Sequence, residues 1–339
     1  MSKQLALLLC SAFVLFLLRY DRRDQKRSSW ALWIPTLWML TTVSRSVDDW
    51  LGMEGGSRES GGVLGPIFQT LLLCFGLITL AKRKRNWSAV ARENLWLIVL
   101  IGYMFASVLW SDMPARSFRS WIREIVAVVM ALVVITQPSP LEAMESVLRR
   151  TVYILIPFSI LLIKYYPNLG VVFSRYTGEI QWIGVAQQKN SLGQLCLIAS
   201  FFLVWTLVRR WGAREAPGGR YQTQMEILLL LMTFWLFKGP SAWAASATSM
   251  VALSVGLTAL FGLLWMKKHE TQLGIRTWVT VAASIIALGV ISPFIGGSAL
   301  TSFTAALGRD ATLTGRTEIW AGLLSDVMRQ PILGYGFSG

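Results

Sequence analysis

Histidine occurs once in the chain, at position 269, and the three cysteines, at positions 10, 74 and 196, all lie in apolar runs. None of them has metal-ligand spacing, so the cysteines read as small core residues and no zinc site is expected. The adjacent pair Asp48-Asp49 on a glycine-rich loop is only a weak suggestion of a metal. There is no phosphate-binding loop with its Gly-Lys-Ser/Thr, no nucleophile elbow and no paired Asp-x-Asp. The Gly-x-Gly at Gly334 and Gly336 is too short for a dinucleotide fingerprint. No engine for ATP-driven transport is therefore visible, and neither a metal nor an organic cofactor is expected. Charge is scarce as well, at 15% of 339 residues, and no internal repeat is visible.

Apolar surface is plentiful. Hydrophobic residues make up 54% of the chain, 16 residues are Trp, and the mean hydropathy is +0.52. A soluble domain does not carry so much, and apolar runs of spanning length recur along the sequence. The pattern predicts an all-α, polytopic integral membrane protein with about ten transmembrane helices. They fall at roughly 4–19, 29–45, 63–81, 93–110, 120–136, 149–166, 191–208, 225–239, 247–266 and 277–296. The first could be a signal peptide, but it lacks a small-residue cleavage site and is followed by Arg19, Arg22, Arg23, Lys26 and Arg27.

The net charge of +14 does not point to nucleic acid, because the basic residues are not gathered on one soluble module. They cluster on alternate loops: Arg19–Arg27, Lys82–Arg85 with Arg92, Arg149-Arg150, Arg209–Arg220 and Lys267–Arg276, 19 of the 32 Lys and Arg. Read as orientation signals, these loops are cytoplasmic, and the N-terminus and the tail after Ile295 lie outside. His269 stands in one of the cytoplasmic loops.

The other cations break that bias. Arg45 and Arg58 lie in the first outer loop; Arg116, Arg119 and Arg123 enter the fifth span, with Arg119 and Arg123 on one helix face. Lys164, Arg175, Lys189 and Lys238 lie near the outer surface, and Arg309, Arg316 and Arg329 sit in the tail. Individually each reads equally as a side chain snorkelling to the headgroups. Collectively they suggest an outer pocket for an anion. In the loop from Tyr166 to Gly193, Asn190 or Ser191 is placed to cap the seventh span, which sets Lys189 at the positive end of a helix. Glu179 there reads as an ion-pair partner of Arg175 or as a base. Trp110, Trp121, Tyr176, Trp182 and Trp320 read as an interfacial belt rather than a sugar platform.

The tail holds the densest signal. Thr314 is a good N-cap, and Ile319, Leu323, Leu324, Val327 and Met328 recur at helical spacing opposite Asp326 and Arg329. Pro331 ends that helix, and Gly334 and Gly336 permit a bend around Tyr335. Arg316 beside the helix entrance favours phosphate or pyrophosphate. The alternative is a capped amphipathic helix lying at a membrane surface.

Three stretches resemble the O-antigen ligase and polymerase family, including its exopolysaccharide-polymerising members. They are Thr314-Gly315-Arg316-Thr317-Glu318-Ile319-Trp320 with Arg329-Gln330-Pro331-Ile332-Leu333-Gly334-Tyr335-Gly336, then Gly184–Gly193, and more weakly Leu109–Pro114 followed by Arg119. The resemblance implies a helical membrane glycosyltransferase of GT-C-like architecture in the bacterial inner membrane, working on the periplasmic side. Its donor would be an undecaprenyl-pyrophosphate-linked glycan, its acceptor a glycan or lipid A core, and it would need no metal or nucleotide sugar. By position, Arg316 is then the pyrophosphate-binding arginine, helped by Lys189 and Arg175, with Arg119, Arg116 and Asn190 nearby and Glu318 and Trp320 shaping the helix.

Residues 1–296 would form the transmembrane domain and 297–339 the start of a large periplasmic loop. Family members often carry His where this chain has Gln188, and continue past the Gly-Tyr-Gly turn into a segment with a His-Asn pair. The catalytic His expected there is absent from this chain, so the expectation is a truncated, donor-binding part that is inactive by itself. Two other readings stay open: a lipid-linked glycan flippase or transporter, and a non-catalytic membrane subunit.

Overall fold

A computed structural model describes residues 2–24, 29–52, 62, 64–173, 178–212, 219–240, 246–268, 316–331 and 334–337. The tenth expected span, Arg175, Tyr176, His269 and Thr314 lie outside the described residues, as do the side chains of Arg316, Glu318 and Trp320. Helices dominate: α1 (Lys3–Asp24), α2 (Trp33–Val43), α3 (Val47–Trp50), α4 (Leu64–Ala81), α5 (Trp87–Glu93), α6 (Leu95–Ala106) and α7 (Pro114–Ile135). There follow α8 (Pro140–Tyr165), α9 (Pro167–Gly170), α10 (Lys189–Gly212), α11 (Gly219–Lys238), α12 (Ala247–Lys268) and α13 (Arg316–Arg329). Between α9 and α10 the strands β1 (Val171–Phe173) and β2 (Ile180–Trp182) pair antiparallel, with Val172 opposite Gln181. That hairpin is an addition to the all-helical expectation.

A helix stands at each of the first nine expected spans. Five are long and apolar enough to cross a membrane, namely Lys3–Asp21, Leu64–Ala81, Pro140–Tyr165, Lys189–Arg210 and Thr248–Met266. They become six if α5 and the helix after it, bent by 81° at Asn94, count as one span. The chain is thus a helical, multi-pass membrane protein. Helices α7 and α11 reach spanning length, but polar first turns lower their apolarity, and Trp30–Val43 is shorter.

Helix α8 is the centre. It opens on Pro140, whose fixed φ suits the first helical position, and it packs against α1, α2, α7, α10 and α11. Tyr153, Ile156, Leu203 and Leu229 are fully buried in the main core. A second core joins α4 to α7, where a Cβ added to Gly76 would lie 2.7 Å from Val129 Cγ1. Helix α6 buries no residue and offers its apolar surface outward. Of the cysteines, Cys196 is in the core but Cys74 is exposed on α4, because the apolar run it belongs to faces out of the bundle.

The contacts sort into two ends. At the hairpin end, Tyr166 Oη donates to Lys3 O at 3.1 Å, so α1 runs antiparallel to α8. At the other end Arg149 of α8 bonds Asp21 of α1 at 3.1 Å, and Arg83 donates to Val133 O at 2.9 Å. The basic clusters at Lys82–Arg85, Arg149-Arg150 and Arg209-Arg210 therefore share this second, arginine end.

Arg149 and Arg150 are more than loop signals. Both are buried, within a network of four guanidiniums and three carboxylates that ties α8 to α1, α10 and α11. Arg149 reaches Asp21, Glu145 at 3.7 Å and Glu226 at 3.6 Å; Arg210 reaches Glu226 at 3.0 Å; Arg209 grips Glu145 with both nitrogens. Arg150 stands 3.7 Å from Asp21 and stacks 4.8 Å over the Trp33 ring. Thr206 donates to Glu226 at 3.2 Å. In an apolar interior such charges persist only as partners, and removing one strands the others. Arg149→Ala leaves three carboxylates short of a guanidinium, which costs about 3–5 kcal/mol. Thermal unfolding of the purified protein should show a large fall in midpoint; an unchanged midpoint would remove the network from this account.

Candidate functional site

The hairpin end gathers the Gly184–Gly193 and Leu109–Pro114 stretches and the Gly334–Phe337 turn of the tail. The first loop there is built by capping. Ser46 Oγ accepts from Asp49 N at 3.1 Å while the Asp49 carboxylate accepts from Ser46 N, a capping box that starts α3. Asp48, buried, accepts from Leu64 N at 3.0 Å and Gly65 N at 2.8 Å and so caps α4. Both carboxylates of the weak metal suggestion are thus occupied with backbone N–H groups.

Arg45 fastens this loop to the second stretch. Its backbone N donates to Val185 O at 3.1 Å, its Nε to Ala186 O at 3.4 Å and its Nη2 to Leu169 O. Gln187 Nε2 donates to Asp49 Oδ2 at 3.4 Å. Burial holds the Arg45 guanidinium below its ordinary pKa, and the nearby Asp49 carboxylate opposes that shift. The Gly184 turn needs glycine: its φ is +55°, and a Cβ there would lie 2.8 Å from Ser159 Cβ. Val185 N donates to Ser159 Oγ at 3.4 Å, which anchors the stretch on α8.

Next to it, Trp182 stacks on Trp235 with ring centroids 4.4 Å apart, and Lys164 Nζ lies 5.1 Å from the Trp235 centroid. Trp182, Lys189, Gly193, Cys196, Phe237 and Ser246 line a shallow crevice where α10, α11 and α12 meet. Helix α10 begins at Lys189, so Asn190 and Ser191 fall inside its first turn rather than at the cap. Lys189 stands at the positive end of the helix, where a cation is unfavourable unless an anion or another partner joins it.

The third stretch meets the tail. Helix α13 ends at Arg329, two residues before Pro331, as its sequence predicts. The turn Gly334–Phe337 then folds onto the junction of α6 and α7. Phe337 N donates to Ser107 Oγ at 2.9 Å. Gly336, with φ +86°, presses so close that an added Cβ would lie 2.7 Å from Ser111 Cβ. Ser111 Oγ in turn pairs with Ser117 Oγ at 2.6 Å and accepts from Met113 N at 3.2 Å, which fixes the start of α7. Tyr335 Oη donates to Asp326 O at 3.3 Å.

Arg116 and Arg119 project from the first turns of α7, both exposed, with Arg119 Nε donating to Ala115 O at 3.3 Å. Ser117, between them in sequence, pairs with the Ser111 on which the turn docks. Arg316 opens α13, about 20 Å of helix away at 1.5 Å per residue. The structure thus joins the tail turn to the Leu109–Pro114 stretch, and Arg45 to the Gly184–Gly193 stretch. Ser107, Ser159 and Trp235 were not singled out in the sequence; a lone serine or tryptophan inside an apolar helix carries no local signal. Trp121 is held by its Nε1 donating to Ile101 O at 3.1 Å and by Phe105 at 4.7 Å, so it is a packed residue as much as a belt residue.

The docked turn makes a direct prediction. Ser107→Ala removes the acceptor of Phe337 N–H, worth about 1 kcal/mol. Hydrogen exchange at the Phe337 amide should then quicken several-fold, and Gly336→Val should release the turn altogether. Unaltered protection in both variants would mean that the turn is not docked.

No protein-family model matches the chain, and no solved structure matches it. It is similar to the exopolysaccharide production protein ExoQ of Rhizobium meliloti (strain 1021), at 23% identity over 247 residues. The match takes in 72% of this chain and 52% of that protein, so the chain spans about half the length of the relative it resembles.

Proposed function

We propose that the chain is the donor-binding part of a membrane glycosyltransferase that makes exopolysaccharide. The reading is that it transfers an undecaprenyl-pyrophosphate-linked glycan to an acceptor glycan on the periplasmic side of the bacterial inner membrane. The observation that carries it is the docking of the tail turn on the Ser107–Ser111 junction, which unites two of the three family-like stretches at one end of the bundle. The similarity to an exopolysaccharide production protein supports a polymerase over a ligase to lipid A core.

In such a transfer the bond from the anomeric carbon to the phosphate oxygen breaks. An acceptor hydroxyl forms the new glycosidic bond, and its proton must pass to a base. The departing pyrophosphate gathers negative charge, which fixed guanidinium and ammonium groups stabilise without reorganisation. Arg316, at the entrance of α13, is suited to that task because the helix N-terminus favours the same charge. Arg116, Arg119 and Lys189, cations at the same end of the bundle, supply a field that draws an anionic lipid headgroup. Arg175, Asn190, Glu318 and Trp320 complete the proposed donor site. No residue is assigned as that base, and no metal or cofactor enters the scheme.

The test uses the protein with whatever coding sequence follows codon 339 in its source, in a strain that depends on it for exopolysaccharide. Arg316→Ala should lower polymer output by about 100-fold or more, with membrane level unchanged and the lipid-linked unit accumulating on the outer leaflet. Normal polymer in that variant refutes the assignment. Retention of the unit on the inner leaflet would favour transport instead.

A further inference from the structure

The arginine end holds more than a clamp. Helix α11, 20 residues long, starts there at Gly219, and the first four N–H groups of any helix find no partner within it. Gln222, the fourth residue, is 1% exposed, and neither its Nε2 nor its Oε1 has a hydrogen-bond partner among the described residues. It shares a face with Glu226, one turn on, and Glu226 is held by Arg210 and Thr206 of α10 and by Arg149 of α8. Side chains lean toward the N-terminus of their helix, so the Gln222 amide leans over the first turn of α11.

Arg210, whose side chain is 9% exposed, gives one nitrogen to Glu226 and leaves Nη1 without a hydrogen-bond partner among the described residues. A buried amide and a buried guanidinium nitrogen left unmade each cost free energy unless a further group supplies the missing partner. The charge balance says what. Among the described side chains four guanidiniums face three carboxylates, an excess of one positive charge on the helices that pack with α11.

We propose that the start of α11, with the Gln222 amide and Arg210 Nη1, is a seat for one phosphate-type oxyanion. Guanidinium and amide N–H groups donate to its oxygens, the helix N-terminus adds its field, and the surplus charge is cancelled. The seat lies in the fourth residue of a helix at the bundle's end. The phosphate therefore arrives either on a lipid headgroup of the adjoining leaflet or free from solution. This site is at the opposite end from the proposed donor site and does not depend on the transfer reading.

The test takes the full chain, purified in nonionic detergent free of phosphate, and follows thermal unfolding by tryptophan fluorescence. One arm titrates inorganic phosphate against chloride at equal ionic strength. The other compares nanodiscs of phosphatidylcholine alone with nanodiscs containing phosphatidylglycerol. Gln222→Leu removes the donor without leaving a polar group buried, and Gln222→Glu places a like charge in the seat and decides the matter if the first variant does not fold. The expected result is a saturable rise of several degrees in the midpoint that Gln222→Leu and Gln222→Glu abolish. A rise with phosphatidylglycerol alone identifies a headgroup, a rise with phosphate alone a free anion, and a rise with both a seat that accepts either. No rise in either arm means that water fills the gap, and that result, like a rise undiminished in the variants, overturns the proposal.

Discussion

The guanidinium–carboxylate network at the arginine end is the interaction on which the rest depends. Apolar packing between membrane helices is weakly directional, since lipid tails are as apolar as leucine. A buried charge is different, because it tolerates few arrangements. Arg149 can meet Asp21, Glu145 and Glu226 together only when α1, α8 and α11 are in register, and Arg209 and Arg210 bring α10 into the same register. That register fixes what happens a bundle-length away, at the hairpin end.

There the same helices present their other termini. Helix α8 delivers Ser159 to the Gly184 turn and Lys164 to Trp235, α10 delivers Lys189, and α11 delivers Trp235 to Trp182. The loops are then tied to one another by polar contacts: Arg45 to the backbone of the second stretch, Phe337 N–H to Ser107. This division puts rigid ion pairs at one end and adjustable hydrogen bonds at the other. It suits a protein whose proposed work, binding a lipid-linked anion, is done at the second end.

Much of the architecture was legible in the sequence because apolar length and the spacing of basic clusters are local properties. Helices stand at the first nine of the predicted runs, and the clusters at Lys82–Arg85, Arg149-Arg150 and Arg209-Arg210 do share an end. What Arg149 does there was not legible, because its partner Asp21 is 128 residues away in sequence. The i, i+4 pair Glu145 and Arg149, and a lone Glu226 ahead of an apolar run, were the only hints. The tail turn was readable as a turn from Gly334 and Gly336, but not as docked on Ser107, which again is a distant contact. Asp48 and Asp49 show the reverse case. The adjacent acids gave only a weak suggestion of a metal, and their immediate sequence, Ser46 three before Asp49, already spelled a capping box.

The central claim is that the hairpin end, with the Gly184–Gly193 and Leu109–Pro114 stretches and the docked tail turn, faces outward, away from the arginine end. Single cysteines at two exposed positions in a background without Cys10, Cys74 and Cys196 test it directly: Asp112→Cys on the α6–α7 junction and Lys84→Cys beside Arg83. In intact spheroplasts of a bacterial host, a membrane-impermeant maleimide should label Asp112→Cys at once and Lys84→Cys only after the membrane is opened. Labelling of Lys84→Cys in intact spheroplasts, with Asp112→Cys protected, would turn the protein over in the membrane and contradict the account.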